Sequence, residues 1–203
     1  SGLELVRERG RLMKLAGERQ PGGMAAIIRL EREQLVDICA QASEESGLQV
    51  QVANDNCPGQ IVISGNVRAL DKAMEQASAA GARRPQRLPI SIAAHSPLME
   101  SVAAEYRREV QRHPFVTPYT PVIANTTAAP MLTIEDIYEE LTAQLTAPVR
   151  WRESMLHLLS EGITDFVELG PKDVLTGLLR RIDRSANGHP MCTPAAIAAL
   201  ASA

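Results

Sequence analysis

Residues 88–99 read LPISIAAHSPLM, and the parsing of this stretch decides the fold. Leu88 to Ala93 reads as a buried strand. Ser96 is a favourable N-cap, Pro97 suits a first helical position and Glu100 adds negative charge to the first turn, so a helix is predicted from Pro97 to about Arg112. His95 then sits on a strand-to-helix corner, where a rigid scaffold presents a side chain to a pocket. An imidazole there can act as a general base near neutral pH, or can simply cap and pack at the corner.

Working back from this corner, residues 24–91 give a repeating pattern. MAAIIRL reads as a strand, EREQLVDICAQASEES as a helix, LQVQVAN as a strand, QIVISG as a strand, Asn66 to about Ala80 as a helix, and LPISIA as the closing strand. Val50, Val52, Ile61 and Ile63 alternate as a half-buried sheet requires. Strand-helix-strand-strand-helix-strand is the ferredoxin-like (βαββαβ) order, and the break Gln20-Pro21-Gly22-Gly23 sets its start. The expected division is a small subdomain at 21–91, a larger one from 1–20 and 92–184, and a flexible tail at 185–203.

Residues 3–19 predict an amphipathic helix with Leu5, Val6, Leu12, Met13 and Ala16 on one face. Arg9 lies in the middle of that apolar face. A buried cation needs an anion or several acceptors. A structural salt bridge, snorkelling to the edge, or docking of a ligand carboxylate by the planar fork would each satisfy it.

Beyond the corner, Leu98, Val102, Tyr106 and Val110 repeat at helical spacing. PVIAN (121–125) reads as a short buried strand, Ile134 to Leu145 as a helix, WRESMLHLLSEG as a helix ending at Gly162, DFVELG as a strand and VLTGLLRRI as a last helix. Alternating strands and helices with short turns predict a parallel sheet covered by helices. PVIAN and DFVELG alone are too few strands for such a core, so the sheet reads as incomplete.

A length of 203 residues, 45% hydrophobic and 22% charged, fits a globular protein of one large domain or two small ones. Net charge −3 without a basic run argues against nucleic acid as a partner. Cys39, Cys57 and Cys192 are odd in number and form no CxxC pair, which argues against a disulfide framework or a metal site and for a reducing, cytoplasmic setting. SGLELVRERG lacks the apolar core of a signal peptide, and no apolar run is long enough to span a bilayer, so no membrane partner is expected.

LVRERGRLM, GGMAAI, VANDNCPGQIVISG, LPISIAAHSPLM, PVIANTT, LTAQLTAPVRW and FVELGPKDVLTGLLRRI occur in the order and spacing of the malonyl-CoA:acyl carrier protein transacylases and the acyltransferase domains of polyketide synthases. The sequence resembles that family from residue 3 to about 182. The resemblance implies an α/β fold, here a partial α/β-hydrolase-like parallel sheet with an inserted ferredoxin-like small subdomain. It implies acyl transfer from malonyl-CoA, or a related carboxyacyl-CoA, to the phosphopantetheine thiol of an acyl carrier protein through an acyl-serine, with no cofactor. His95 matches the family's catalytic base, and Gln144 the residue whose main-chain carbonyl orients it. Arg9 matches the arginine that pairs with the malonyl carboxylate. Asn54 and Asn56 match a polar loop near the site.

The departures are equally specific. The family's nucleophile lies in a GHSxGE elbow just upstream of the helix that begins here, and its oxyanion hole also uses an N-terminal GQG; neither motif is in this sequence. Ser1 and Ser96 lack a GxSxG context. The expectation is therefore an acyltransferase lacking its N-terminal segment, the recorded chain alone being inactive. Lys172 replaces the second glycine of the family's GPG turn. Ala94 precedes the histidine where a bulky aromatic often accompanies malonyl preference, leaving methylmalonyl and other units open, as it leaves fatty-acid or polyketide synthesis. The competing reading is a non-catalytic module that docks a carrier protein or synthase subunit.

Overall fold

The computed structural model describes residues 1–200 of a mixed α/β chain. Helix α1 (Gly2–Arg19) buries Leu5, Leu12, Met13 and Ala16, with Arg9 half-buried in the same stripe. Val6, expected on this face, falls at the rim of the stripe and is 67% exposed.

Strand β1 (Gly22–Ile28), helix α2 (Arg32–Ser46), strands β2 (Val50–Cys57) and β3 (Gln60–Asn66), helix α3 (Val67–Ala79) and strand β4 (Gln86–Arg87) follow in that order. The Asn66 side chain caps α3, accepting from the Arg68 amide at 3.0 Å. The sheet runs β2-β3-β1-β4, with every neighbouring pair antiparallel. Its two faces separate by strict alternation. Ala25, Ile27, Val50, Val52, Ile61 and Ile63 share a core with Leu35, Ile38, Leu70 and Ala73 of α2 and α3. Met24, Ala53 and Val62 turn the other way, into the core that holds α1.

The strand expected over Leu88–Ala93 does not form. β4 is only Gln86–Arg87, the Leu88 amide still donates to Met24 O at 2.9 Å, and the chain then folds back with Ile90 N on Leu88 O. Pro89 has no N–H for the ladder, which ends pairing at that point. The segment from Ser91 to Ala94 instead packs under α1. Gly17 permits the approach, since a Cβ there would lie 2.6 Å from Ile92 Cγ2.

After a 3₁₀ turn (Pro97–Met99), helix α4 (Glu100–Arg112) buries Val102, Tyr106 and Val110 in line with Leu98. Each such side chain contributes about 1.5–3 kcal/mol of transfer free energy. PVIAN is not a buried core strand: β5 (Val122–Ile123) is a two-residue ribbon, antiparallel to β6 (Pro130–Met131). Helices α5 (Ile134–Ala143) and α6 (Trp151–Ser160), strand β7 (Asp165–Leu169) and helix α7 (Val174–Ile182) occupy the predicted positions. The tail expected to be flexible from 185 instead contributes β8 (Asn187–Met191), parallel to β7, and helix α8 (Pro194–Leu200); residues 201–203 lie outside the described residues. β7 leaves Val167 and Leu169 44% and 68% exposed. Lys172 adopts φ +74, a left-handed conformation that glycine enters without the Cβ penalty, which accounts for the second glycine of the family turn. Among the described residues, no helix is long and apolar enough to cross a membrane.

Candidate active site

His95 occupies the turn that the sequence placed it on, at φ +56. For a non-glycine residue this conformation costs on the order of 1–2 kcal/mol, so the surroundings must hold it. Two side chains do. Ser96, fully buried, donates its hydroxyl to Ala93 O at 2.6 Å and accepts from Leu98 N at 3.4 Å, starting the helix. Gln51, from β2, donates through Nε2 to the His95 carbonyl at 2.8 Å and to the Thr146 carbonyl at 3.2 Å. One amide thus ties the histidine corner to the loop that follows α5.

That loop brings acceptors to the ring. Thr133 caps α5, its hydroxyl accepting from Asp136 N at 3.1 Å, and Gln144 closes the helix with its amide on Glu140 O at 2.9 Å. The main-chain carbonyls of Gln144 and Ala147 face the imidazole and favour its protonated form. They stand within electrostatic reach of the half-buried ring rather than in full hydrogen-bond geometry, and Nδ1 is buried without a partner. Burial pushes the His95 pKa below its ordinary value, and the Arg9 guanidinium pushes it the same way; the two carbonyls and the Glu140 carboxylate oppose them.

Arg9 lies near enough to His95 for its charge to act on the imidazole, although 86 positions separate residues 9 and 95 in the sequence. The cation also faces Tyr106, where it opposes the upward push of burial on the phenol. Its neighbours on α1 are paired, Arg11 with Glu8 at 2.6 Å and with Glu105 at 2.7 Å. Arg9 itself makes no hydrogen bond or ion pair with any described residue, so neither a salt bridge nor any other internal anion accounts for it.

Asn54 and Asn56 lie half-buried on β2, beyond Gln51. A bulge there lets Val149 pair with the strand, Asp55 N donating to Val149 O at 2.9 Å and Val149 N to Ala53 O at 2.8 Å. The hydrogen bonds join this strand to the loop after Gln144, and none links either asparagine side chain to the imidazole. Asp55, between them and 1% exposed, faces Arg152 Nε at 3.2 Å and fixes β2 against α6.

Glu140 and Gln51 were not anticipated as site residues. Glu140 is 5% exposed and accepts from Asn125 N at 2.9 Å, Thr126 N at 3.2 Å, the Thr126 hydroxyl and Gln144 Nε2 at 2.8 Å. The one available signal is its i, i+4 spacing to Gln144, which stacks the two side chains on one side of α5. Neither the adjacent serine nor the two buried cysteines is a ready nucleophile. The Ser96 hydroxyl is committed to its turn, and burial pushes Cys39 up to about 12 and raises Cys57 as well.

The acyl transferase domain model matches residues 1–198. The chain belongs to the acyl transferase domain family. Relatives of this acyl transferase include the malonyl CoA-acyl carrier protein transacylases of Bacillus subtilis (strain 168) and Escherichia coli (strain K12). The first is 41% identical over 179 residues, 88% of this chain and 56% of that protein. The second is 35% identical over 197 residues, 97% of this chain and 63% of that protein. Among solved structures, the malonyl-CoA:acyl carrier protein transacylase of Xanthomonas oryzae pv. oryzae superposes with a TM-score of 0.91 at 36% identity, covering 97% of this chain and 62% of that one. A type II PKS acyl-carrier protein in complex with its malonyl-transacylase matches with a TM-score of 0.91 at 33% identity, covering 98% and 64%. The acyl transferase chain thus spans less than two thirds of the length of these relatives.

Proposed function

We propose that this chain carries the base and the carboxylate-binding side of an acyltransferase site, which moves a malonyl or related carboxyacyl group from CoA to the phosphopantetheine thiol of an acyl carrier protein. The nucleophilic serine comes from polypeptide that this chain does not span. The observation that supports the reading is that Arg9, half-buried and without a hydrogen bond or ion pair to a described residue, acts electrostatically on His95. The strand order β2-β3-β1-β4 supports a ferredoxin-like small subdomain at 21–91, set into an α/β-hydrolase-like part formed by 1–20 and 92–184. A cytoplasmic setting fits acyl-CoA and carrier protein as substrates.

In the first half-reaction, neutral His95 takes the serine proton as Oγ attacks the thioester carbonyl. The C–S bond breaks, and the imidazolium returns the proton to the departing CoA sulfur, leaving an acyl-serine. In the second, His95 deprotonates the carrier thiol, the sulfur attacks the ester, and serine Oγ recovers the proton. The Gln144 carbonyl orients the ring and steadies the imidazolium in both. Arg9 grips the carboxylate of the acyl group through its planar fork. Asn54 and Asn56 line the polar side of the cleft.

The pH dependence tests this reading. The base must be neutral, and its folded pKa is lowered, so transfer should persist below the ordinary histidine pKa of about 6.5 and fall only as pH drops through the lowered value. The chain joined to the upstream, elbow-bearing segment of the Bacillus subtilis relative is the enzyme to assay. An acid limb in kcat/KM below about pH 6.5, moved upward by Arg9→Gln, is the expected result. A rate with no acid limb down to the pH at which the enzyme unfolds would exclude a histidine base.

A further inference from the structure

A buried carboxylate with four donors is a hub, and Glu140 joins the turn after β5 to the end of its own helix in this way. It receives the Asn125 and Thr126 amides and the Thr126 hydroxyl from the turn after β5, and Gln144 Nε2 from the end of its own helix. Arg150 closes the same turn from the far side, its amide on Asn125 O at 2.7 Å and its Nη1 on Thr127 O at 3.0 Å. The network therefore fixes Gln144 at both ends: its side chain on Glu140 Oε1 at 2.8 Å, and its amide on Glu140 O at 2.9 Å. The carbonyl of the residue so anchored is the one that acts on His95.

The charges around the imidazole can be named element by element. α1 presents Arg9, a cation. α5 presents Glu140, the anion. The loop after α5 presents the neutral carbonyls of Gln144 and Ala147, and β2 presents neutral Gln51, bonded to the histidine's own carbonyl. α4 presents the neutral phenol of Tyr106 toward Arg9. The Glu140 anion acts on the imidazole in the opposite direction to the Arg9 cation, and less strongly.

We propose that Glu140 is a positioning residue for His95: it holds the Gln144 carbonyl against the ring and supplies the negative charge that stabilises the imidazolium formed at each proton transfer. The Ser-His-Asp arrangement gives this task to an aspartate bonded to the ring. Here the orienting contact and the charge are split between a main-chain carbonyl and a carboxylate one step behind it. This rests on His95 being the base, but its test does not depend on catalysis.

The experiment is an NMR titration of the His95 ring in the purified chain. Glu140→Gln keeps the shape and one of the two acceptor oxygens and removes the charge. It should lower the His95 pKa by roughly half a unit or more, about threefold in the protonation constant. Glu139→Gln, the same charge change at an exposed position on α5, should leave it unmoved. A folded Glu140→Gln chain with an unchanged His95 pKa overturns the proposal and leaves Glu140 a structural hub. Should that variant not fold, the unmutated chain decides by reciprocity: the Glu140 carboxyl ¹³C resonance must show an inflection at the His95 pKa, and a flat trace through it also overturns the proposal. A His95 pKa that responds to Glu140, together with a completed enzyme that runs without His95, removes the base reading and the catalytic role of Glu140 and leaves only the coupling between the two groups. An enzyme that needs His95 while its pKa ignores Glu140 removes this proposal alone.

Discussion

His95→Ala, made in the chain joined to the elbow-bearing segment of the Bacillus subtilis relative, should cut malonyl transfer roughly 10³–10⁴-fold in kcat, with KM little changed. General acid–base groups contribute about 10²–10⁴ each, and members of a nucleophile–base unit lie at the upper end because the nucleophile depends on them. The imidazole acts twice, on the serine and on the carrier thiol, so both half-reactions should slow. Misfolding is a separable cause. Alanine at φ +56 is no better suited than histidine, and the Gln51 amide still has the residue-95 carbonyl to hold. The variant should unfold within about 1–2 kcal/mol of the parent, a shift that thermal denaturation reads directly. A stably folded variant that transfers malonyl at the parental rate would remove His95 from the mechanism.

Arg9→Ala should change what is transferred. A bidentate guanidinium–carboxylate pair in a desolvated site loses about 2–5 kcal/mol when one partner is removed. The malonyl kcat/KM should therefore fall roughly 10²–10³-fold while acetyl, with no carboxylate, changes by less than about fivefold, so that the preference between them collapses. Arg9→Lys should recover only part of it, because an ammonium offers charge without the fork. The fold should survive, since Arg9 makes no hydrogen bond or ion pair in the described structure. A preference for malonyl that persists in Arg9→Ala would show that the cation is not the carboxylate clamp.

Much of this was legible in the chain itself. The helical stripe of α1 exposed Arg9 as a cation on an apolar face, and the Ser96-Pro97 pair marked the corner that carries His95. These are local signals, within one turn of the residues concerned. The errors fell where partners are remote. LPISIA alternates like a strand, but Pro89 removes the donor that the ladder needs, and only tertiary pairing shows where β4 stops. NGHPM carries a glycine and a proline and none of the patterning of a strand, yet it pairs in parallel with β7 over five residues. The Glu140 and Gln51 side chains were invisible for a related reason. A polar residue declares that it will find a partner, and not which: Gln51 finds the carbonyl of a residue 44 positions away.

A shared cleft for Arg9 and His95 is most directly tested by a crystal structure of the completed enzyme, its elbow serine replaced by alanine, soaked with malonyl-CoA. The expected density places the malonyl carboxylate on the Arg9 guanidinium within about 3 Å and the thioester within hydrogen-bond reach of the His95 ring. A malonyl group bound with its carboxylate on another cation, or with its thioester remote from His95, would contradict it.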